Sequence, residues 1–223
     1  MREYFKRWPW LYYTIVDIFG PIYLGGLTPK AFAKKFTRAG VHLSIGSGPR
    51  KIDNSFKNVD MEAYPGVDIV ADMSSIPLTD SSVSMIVCEN ALEHVREPER
   101  AVAEMRRLLQ TNGVLYISIP FLYPFHSSPS DYRRWSSVGL RQLVDGLEVV
   151  EEGVRSGPFS VINVYLVYFF ASIFSFGSRR LYTTLLDVFI FIFFPIKFLD
   201  VIANHMPFSS DFASVLYIVA TKK

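Results

Sequence analysis

Four short apolar segments of high β-propensity constrain the fold of this chain more than any other feature. They are Val41–Ile45, Val67–Ala71, Val83–Cys88 and Val114–Ile119. Continuous apolar runs of this length are typical of buried strands in a parallel sheet. Between the last two runs, Pro98–Leu109 places apolar side chains at helical spacing, and we expect that helix to end at Asn112-Gly113.

This alternation of strands and helices predicts an α/β fold with a parallel sheet, in which ligands bind at the carboxyl ends of the strands. The first strand is followed by Gly46-Ser47-Gly48, where missing side chains let backbone N–H groups approach a ligand. Asp60 is placed to accept hydrogen bonds from ribose hydroxyls, and Asp72 and Glu89 follow further strands. A lone acid at a strand end also serves as a cap or turn residue, and that alternative stays open.

Composition narrows the class of partner. The 23 Lys and Arg residues against 21 Asp and Glu give a net charge of +2, which provides no global field for a nucleic acid. The single cysteine, Cys88, cannot form an internal disulfide, and no Cys/His cluster has zinc spacing. We therefore expect a reducing compartment, no nucleic-acid partner and no metal site.

The order of these motifs resembles the class I S-adenosylmethionine-dependent methyltransferases, in particular the type-11 group and its glycan-biosynthesis-associated members. Leu43–Gly48 looks like the first motif of this family, and Ala91–Val95 resembles its Leu-Glu-His-Val signature. Arg106–Gly113 is similar to its helix end and turn before strand five. The resemblance covers Val41–Val154 and implies a Rossmann-like seven-stranded methyltransferase sheet.

The resemblance also implies S-adenosylmethionine as the cofactor, together with the residues that bind it. These are Gly46, Ser47, Gly48, Asp60, Met61, Asp72, Met73 and Glu89. Because the cofactor already carries an electrophilic methyl group, the protein has to position the acceptor and, for a hydroxyl, remove a proton.

Candidates for that proton transfer follow strands four and five. They are the catalytic candidates Glu93, His94 and His126, with Asp131, Tyr132 and Arg134 as candidates for substrate binding. Arg134 suits an anionic acceptor because a guanidinium pairs bidentately with phosphate or carboxylate. Two structural roles stay open, a helix cap for His94 and a loop brace for Asp131.

The chain departs from the family pattern in the glycine loop. The family usually has an acidic residue where this chain has Ser44 and a third glycine where it has Arg50. The spacing from Gly48 to Asp60 leaves little room for the usual first helix. These departures keep a second hypothesis open, a non-catalytic binding or assembly protein that retains the fold. A nicotinamide-dependent oxidoreductase is a third, disfavoured because Lys51 stands where its fingerprint needs glycine.

Two apolar runs lie between the expected strands six, Leu147–Arg155, and seven, Phe212–Thr221. Ser156–Ser178 carries no charge and meets the length of a bilayer-spanning helix, while Leu181–Phe194 contains only Asp187. Strand seven must return to the sheet, so a full crossing would place charged residues in or across lipid. We therefore expect a monotopic hairpin on the cytoplasmic side of a membrane, and a dimer interface or a lid as alternatives.

The chain thus divides into four predicted segments. They are an amphipathic aromatic segment (1–36), an S-adenosylmethionine-binding core (37–155), a hydrophobic helical insertion (156–210) and the final core strand (211–223). The first segment imitates a signal peptide, but Pro9, Asp17 and Pro21 interrupt it, which favours interfacial anchoring. The expected function is methyl transfer to a glycan, lipid-linked or other apolar acceptor.

Overall fold

The computed structural model describes residues 14–15, 18–126 and 130–223. Residues 1–13 and 16–17 of the predicted aromatic segment lie outside the described residues, as do residues 127–129. The chain forms two compact units. We call Leu27–Phe121, His126–Gly153 and Leu216–Lys223 the core unit, and Met1–Gly26, Leu122–Phe125 and Val154–Val215 the helical unit. The division into four segments stays a prediction.

Seven strands form one sheet. They are β1 (Val41–Ile45), β2 (Phe56–Asp60), β3 (Ile69–Val70), β4 (Val83–Glu89), β5 (Leu109–Pro120), β6 (Glu148–Ser156) and β7 (Val215–Thr221). Their order is β3-β2-β1-β4-β5-β7-β6, and the pairs among β1 to β5 are parallel. The Asn112 N–H near the start of β5 donates to the carbonyl of Lys222, just after β7, so β7 runs antiparallel to β5. The predicted seven-stranded sheet is confirmed.

Six helices lie between residues 29 and 203. They are α1 (Pro29–Lys35), α2 (Pro98–Leu108), α3 (Ser137–Leu143), α4 (Pro158–Phe174), α5 (Arg179–Phe193) and α6 (Asp200–Ala203). Short 3-10 helices span Leu92–His94, Phe194–Leu199 and Ser209–Phe212. Thr28 caps α1 by accepting the N–H of Ala31, and Ser178 caps α5 through the N–H of Leu181. Residues 46–55, all of them described, contain no helix, as the short spacing predicts.

One face of the sheet is filled by aromatic and aliphatic side chains of the core unit. They are Phe32, Phe56, Met85, Val87, Val114, Tyr116, Tyr217 and Val219. The ring of Tyr116 lies between those of Phe32 and Tyr217, at centroid distances of 5.3 and 5.9 Å. Its buried hydroxyl donates to the carbonyl of Leu27 at 2.7 Å, so the polar end of this large side chain is satisfied.

Two local predictions were wrong. The helix after β4 ends at Leu108 rather than at Asn112-Gly113, although Asn112 does adopt a left-handed φ of +63°. The Lys222 ammonium donates to the carbonyls of Arg106 and Leu109, and Leu109 already pairs with β4, so the helix ends before Asn112.

The predicted buried strand Val67–Ala71 is only the two-residue β3. Val70 is 58% exposed because β3 is the edge strand.

The helical unit packs α4 against α5. Phe170 of α4 stacks on Phe193 of α5 at 5.5 Å between ring centroids, and it also contacts Phe189 at 5.7 Å. Asp200 is fully buried and accepts the N–H groups of Gly157, Phe159 and Ser160, which closes the N-terminal turn of α4. α4 has 17 residues, and none of the helices in the described ranges combines the length and apolar content that a membrane crossing needs.

Candidate active site

The glycine loop after β1 has a backbone that requires glycine. Gly46 and Gly48 have φ values of +65° and +52°, in the left-handed region that costs other residues energy. A Cβ atom on Gly46 would lie 2.5 Å from the Cβ of Ala91. No described atom lies within 4 Å of the point that a Cβ of Gly48 would take. The space beside the Cα of Gly46 is therefore filled by Ala91, just after β4, whereas the space beside the Cα of Gly48 is open to a ligand.

Asp60 at the end of β2 is tied to this loop. One carboxylate oxygen accepts the N–H of Gly48 at 2.8 Å, and the other accepts the N–H of Glu62 at 3.0 Å. Its neighbour Met61 is exposed, and Ser47 forms a local bond from its hydroxyl to the Gly48 carbonyl. Gly46, Gly48 and Asp60, which the sequence singled out separately, thus meet at one edge of the sheet.

The other predicted cofactor residues follow β3 and β4. Asp72 accepts both the N–H and the hydroxyl of Ser74, and these bonds lower the pKa of its carboxyl below the ordinary value. The terminal methyl of Met73 lies 3.4 Å from the point that a Gly46 Cβ would occupy, so Met73 reaches the glycine loop. Glu89 is the last residue of β4.

Sequence reasoning missed Asn90, which directly follows Glu89. Asn90 has a left-handed φ of +49°, and its N–H donates to the carbonyl of Ser118 on β5. Its buried side-chain oxygen finds no hydrogen-bond partner within the described residues. Asn tolerates the left-handed region better than other side chains, and an Asn directly after a buried strand was the signal available in the sequence.

The three predicted catalytic residues form one cluster beyond β4 and β5. Glu93 is fully buried, and neither of its carboxylate oxygens has a hydrogen-bond partner in the described part of the chain. Its Oε1 lies 3.6 Å from Nε2 of His94 and 3.8 Å from Nε2 of His126. The two imidazole rings meet edge to face, 5.0 Å apart at their centroids. Burial raises the pKa of the Glu93 carboxyl to about 7, and the nearby Arg134 only partly offsets this.

A second layer of contacts orients the two histidines. Nδ1 of His94 lies 2.5 Å from the carbonyl oxygen of Ser130. Nδ1 of His126 faces the Asp131 carboxylate at 3.5 Å and the Arg134 guanidinium at 3.4 Å. Asp131 also accepts the backbone N–H of His126 at 2.8 Å and pairs with Arg134 through both of its oxygens. Asp131 therefore has the bracing contacts that the sequence left open.

Tyr132 and Arg134, the other two substrate candidates, border the same cluster. The N–H of Tyr132 donates to the carbonyl of Glu93 at 2.8 Å, and its exposed ring lies 5.8 Å from the guanidinium of Arg96. Both guanidinium nitrogens of Arg134 bind Asp131, so this side chain already neutralises a buried carboxylate. Substrate binding by Asp131, Tyr132 and Arg134 stays a prediction.

Comparison with known proteins agrees with this geometry. A family model described as a methyltransferase domain, of the type-11 group, matches residues 31–117, from α1 to β5. An uncharacterized methyltransferase of Mycolicibacterium gilvum is 29% identical over 143 residues, covering 64% of this chain and 50% of the relative. A probable S-adenosylmethionine-dependent methyltransferase of Mycobacterium tuberculosis is 36% identical over 58 residues, covering 26% of this chain and 21% of the relative.

The fold has solved counterparts as well. The crystal structure of a putative sarcosine dimethylglycine methyltransferase from Galdieria sulphuraria matches with a TM-score of 0.54 at 15% identity, covering 86% of this chain and 82% of that one. The chain spans half or less of the length of the two curated relatives described above. Sheet order, glycine loop, matched domain and relatives agree: residues 31–117 match the type-11 methyltransferase domain, and the chain is similar to class I S-adenosylmethionine-dependent methyltransferases.

Proposed function

We propose that the protein transfers a methyl group from S-adenosylmethionine to a hydroxyl of a glycan, lipid-linked or other apolar acceptor at a membrane surface. The site fits the cofactor in two respects. The space beside Gly48 is open, and the buried oxygen of Asn90 has no hydrogen-bond partner among the residues described. The residues that would hold the cofactor are Gly46, Ser47, Gly48, Asp60, Met61, Asp72, Met73 and Glu89. When bound, it supplies the electrophilic methyl group.

Asp60 has the capacity that a ribose requires. Each of its carboxylate oxygens already accepts one backbone N–H, from Gly48 and from Glu62. An ionised carboxylate offers about four acceptor sites, which leaves room for two hydroxyl donors. The same backbone bonds keep the carboxylate in place, so little ordering would be needed on binding.

The Glu93, His94 and His126 cluster supports a hydroxyl acceptor, because this acceptor needs a base. Ala91 packs against Gly46, and Glu93 follows two residues later, so the cluster and the glycine loop share one strand end. The side chain of His126 is one-third exposed (33%) while Glu93 is buried behind it, so His126 is the group that an acceptor can reach. Nε2 of His126 would take the hydroxyl proton, and the Glu93 carboxylate would stabilise the resulting imidazolium.

The membrane surface is proposed on one observation, the exposed apolar face of the α4–α5 hairpin. Its outward side chains include Ile162, Tyr165, Phe169, Ile173, Phe174, Val188, Phe191 and Ile192. On α4 they recur every three or four residues, as on one helix face. Phe176 in the turn is 87% exposed and lies just before the exposed pair Arg179 and Arg180. Aromatic side chains beside arginines suit the interface of an anionic bilayer.

A calorimetric titration tests the cofactor. The purified chain is titrated with S-adenosylmethionine, S-adenosylhomocysteine and a nicotinamide dinucleotide, and the titrations are repeated on Asp60→Ala. Asp80→Ala is the matched control, because Asp80 is exposed and its ion pair among the described residues is with Arg107. Binding of the first two ligands alone, weakened at least tenfold in Asp60→Ala, would support the proposal. No binding of any ligand would favour the non-catalytic hypothesis.

Flotation with anionic vesicles tests the membrane surface. We expect the intact chain to float and the double variant Phe176→Ser/Phe191→Ser to lose most of its bound fraction, because each buried phenylalanine contributes about 1.5–3 kcal/mol. Val138→Ser/Val150→Ser removes two exposed apolar side chains outside the hairpin and should float normally. An intact chain that stays in the heavy fractions would refute this part of the proposal. A dimer in the ultracentrifuge would then favour the alternative of a subunit interface.

A further inference from the structure

We infer that Glu93, His94 and His126 form a binding site for one divalent first-row transition-metal ion. Each of the three residues offers one ligand atom, and these atoms all lie within 4.8 Å of one another. The sequence predicted no metal here, because no Cys/His cluster has zinc spacing. The inference changes the role of one atom in the proposed function: with an ion bound, Nε2 of His126 would be a ligand, and lowering the pKa of the acceptor hydroxyl would replace proton removal by that nitrogen.

The hydrogen bond of His94 points one imidazole lone pair into the cluster. A carbonyl oxygen only accepts, so the bond to Ser130 places the proton of His94 on Nδ1 and leaves a lone pair on Nε2. Nδ1 of His126 lies 3.5 Å from the Asp131 carboxylate and 3.4 Å from the Arg134 guanidinium, which only donates. Metal binding through Nε2 of His126 therefore requires the tautomer in which Nδ1–H pairs with Asp131 in place of accepting from Arg134. Both Nε2 atoms then face Oε1 of Glu93.

The burial of the Glu93 carboxylate independently supports a cation in this cluster. Glu93 is fully buried, yet neither oxygen accepts a hydrogen bond from any described residue. A buried carboxylate without a donor is costly unless a cation or proton compensates it. The Arg134 guanidinium beside His126 offsets this cost only in part, so a cation between the carboxylate and the two imidazoles would stabilise the cluster further.

The distances are close to those of a coordination sphere. An ion that binds nitrogen and oxygen at about 2.0–2.2 Å in tetrahedral geometry holds its ligand atoms about 3.3 Å apart. The observed separations from Oε1 are 3.6 Å to His94 and 3.8 Å to His126. The two histidine nitrogens lie within 4.8 Å of each other, so the imidazoles would have to approach one another by up to about 1.5 Å to complete the sphere.

The donor set indicates the class of ion. Two imidazoles and one carboxylate suit zinc, iron, cobalt or manganese, whereas magnesium and calcium prefer oxygen ligands alone. The Ser130 carbonyl binds the outer nitrogen of His94, as the partners of metal-bound histidines do, and the Asp131 carboxylate lies 3.5 Å from that of His126. Three protein ligands leave one position for a water or an acceptor hydroxyl, whose pKa the ion would lower. This last role rests on the proposed function.

Metal titration of the tag-free full chain tests the site. The chain is treated with a chelator and titrated by calorimetry with zinc, manganese and magnesium chloride, and cobalt serves as a visible-absorption probe of coordination. We expect one equivalent of zinc to bind, cobalt to give visible bands, and magnesium to bind far more weakly. His126→Ala should lower zinc affinity at least tenfold, whereas His205→Ala, at an exposed histidine of the helical unit, should leave it unchanged.

The affinity for S-adenosylhomocysteine distinguishes a failure of the metal site from a failure of the proposed function. S-adenosylhomocysteine affinity is measured in the same preparations, and His126→Ala should retain it, which also shows that the variant is folded. Stoichiometric zinc binding without S-adenosylhomocysteine binding would overturn only the proposed function. S-adenosylhomocysteine binding without zinc or cobalt binding would overturn the metal site. Unchanged zinc affinity in His126→Ala would overturn it as well.

Discussion

Replacing each glycine of the loop after β1 by alanine should separate stability from cofactor binding. Gly46 and Gly48 both have left-handed backbones, so alanine at either position incurs about 1–2 kcal/mol of strain. Part of this cost, about 0.4–1 kcal/mol, is offset because alanine restricts the unfolded chain. Gly48→Ala has no further contact to make, since its methyl would enter open space. We therefore expect it to destabilise the fold by about 1 kcal/mol.

Gly46→Ala should cost considerably more. Its new Cβ would lie 2.5 Å from the Cβ of Ala91, whereas two carbon atoms pack at about 3.5–4.0 Å. The segment after β4 would have to move by about 1 Å, and such overpacking costs about 1–3 kcal/mol. The total is about 2–4 kcal/mol. Urea unfolding of both variants measures the difference, with Gly177→Ala as a control for strain alone at a φ of +79° and no close neighbour.

The binding assay should reverse the order of the two variants. In Gly48→Ala the methyl occupies the space that we assign to the cofactor, so S-adenosylhomocysteine affinity should fall at least tenfold while the protein stays folded. Equal unfolding free energies for Gly46→Ala and Gly48→Ala would show that the contact with Ala91 is not tight. Unchanged affinity in Gly48→Ala would show that the cofactor does not lie beside Gly48.

Three further predictions concern single side chains. In metal-free protein the raised pKa of Glu93, about 7 against an ordinary 4.5, makes the folded state bind the proton more tightly. The free energy of unfolding should therefore fall by up to about 3 kcal/mol as the pH rises across that window, and urea titrations of Glu93→Gln should lack this fall. Asp200→Asn weakens the cap of α4 and should cost about 2–3 kcal/mol in urea unfolding. Lys222→Met leaves the carbonyls that end α2 without their ammonium donor and should lower Tm, corresponding to about 1–2 kcal/mol.

The limits of a strand were predictable where a continuous apolar segment indicates that the strand is buried on both faces of the sheet. β1 spans Val41–Ile45 as predicted, and the buried strands β4 and β7 begin or end within a few residues of the predicted limits. β3 was predicted too long because an edge strand is covered on one side only, and apolar runs do not distinguish edge from centre. The end of α2 depends on Lys222, more than a hundred residues later, and no local pattern contains such a contact.

The position of the candidate site was predictable from the sequence, but the orientation of its side chains was not. The rule that ligands bind at the carboxyl ends of parallel strands selected Gly46, Asp60, Glu93 and His126 individually. That the two histidines direct Nε2 at one buried carboxylate depends on the Ser130 carbonyl and the Asp131 carboxylate, whose directions are set by the loop after β5. The sequence therefore offered three candidate bases, whereas the structure groups them as one set of ligand atoms.

The segment Asn90–His94 connects the two parts of this site. Asn90 is held by the Ser118 carbonyl of β5 and turns the chain through a left-handed residue, which sets Ala91 against Gly46. The next turn places Glu93 below the two imidazoles. Five consecutive residues thus connect the glycine loop to the Glu93, His94 and His126 cluster. In the proposed reaction the cofactor methyl and the acceptor oxygen have to meet along this segment, so lengthening it by one residue should abolish turnover even where cofactor binding survives.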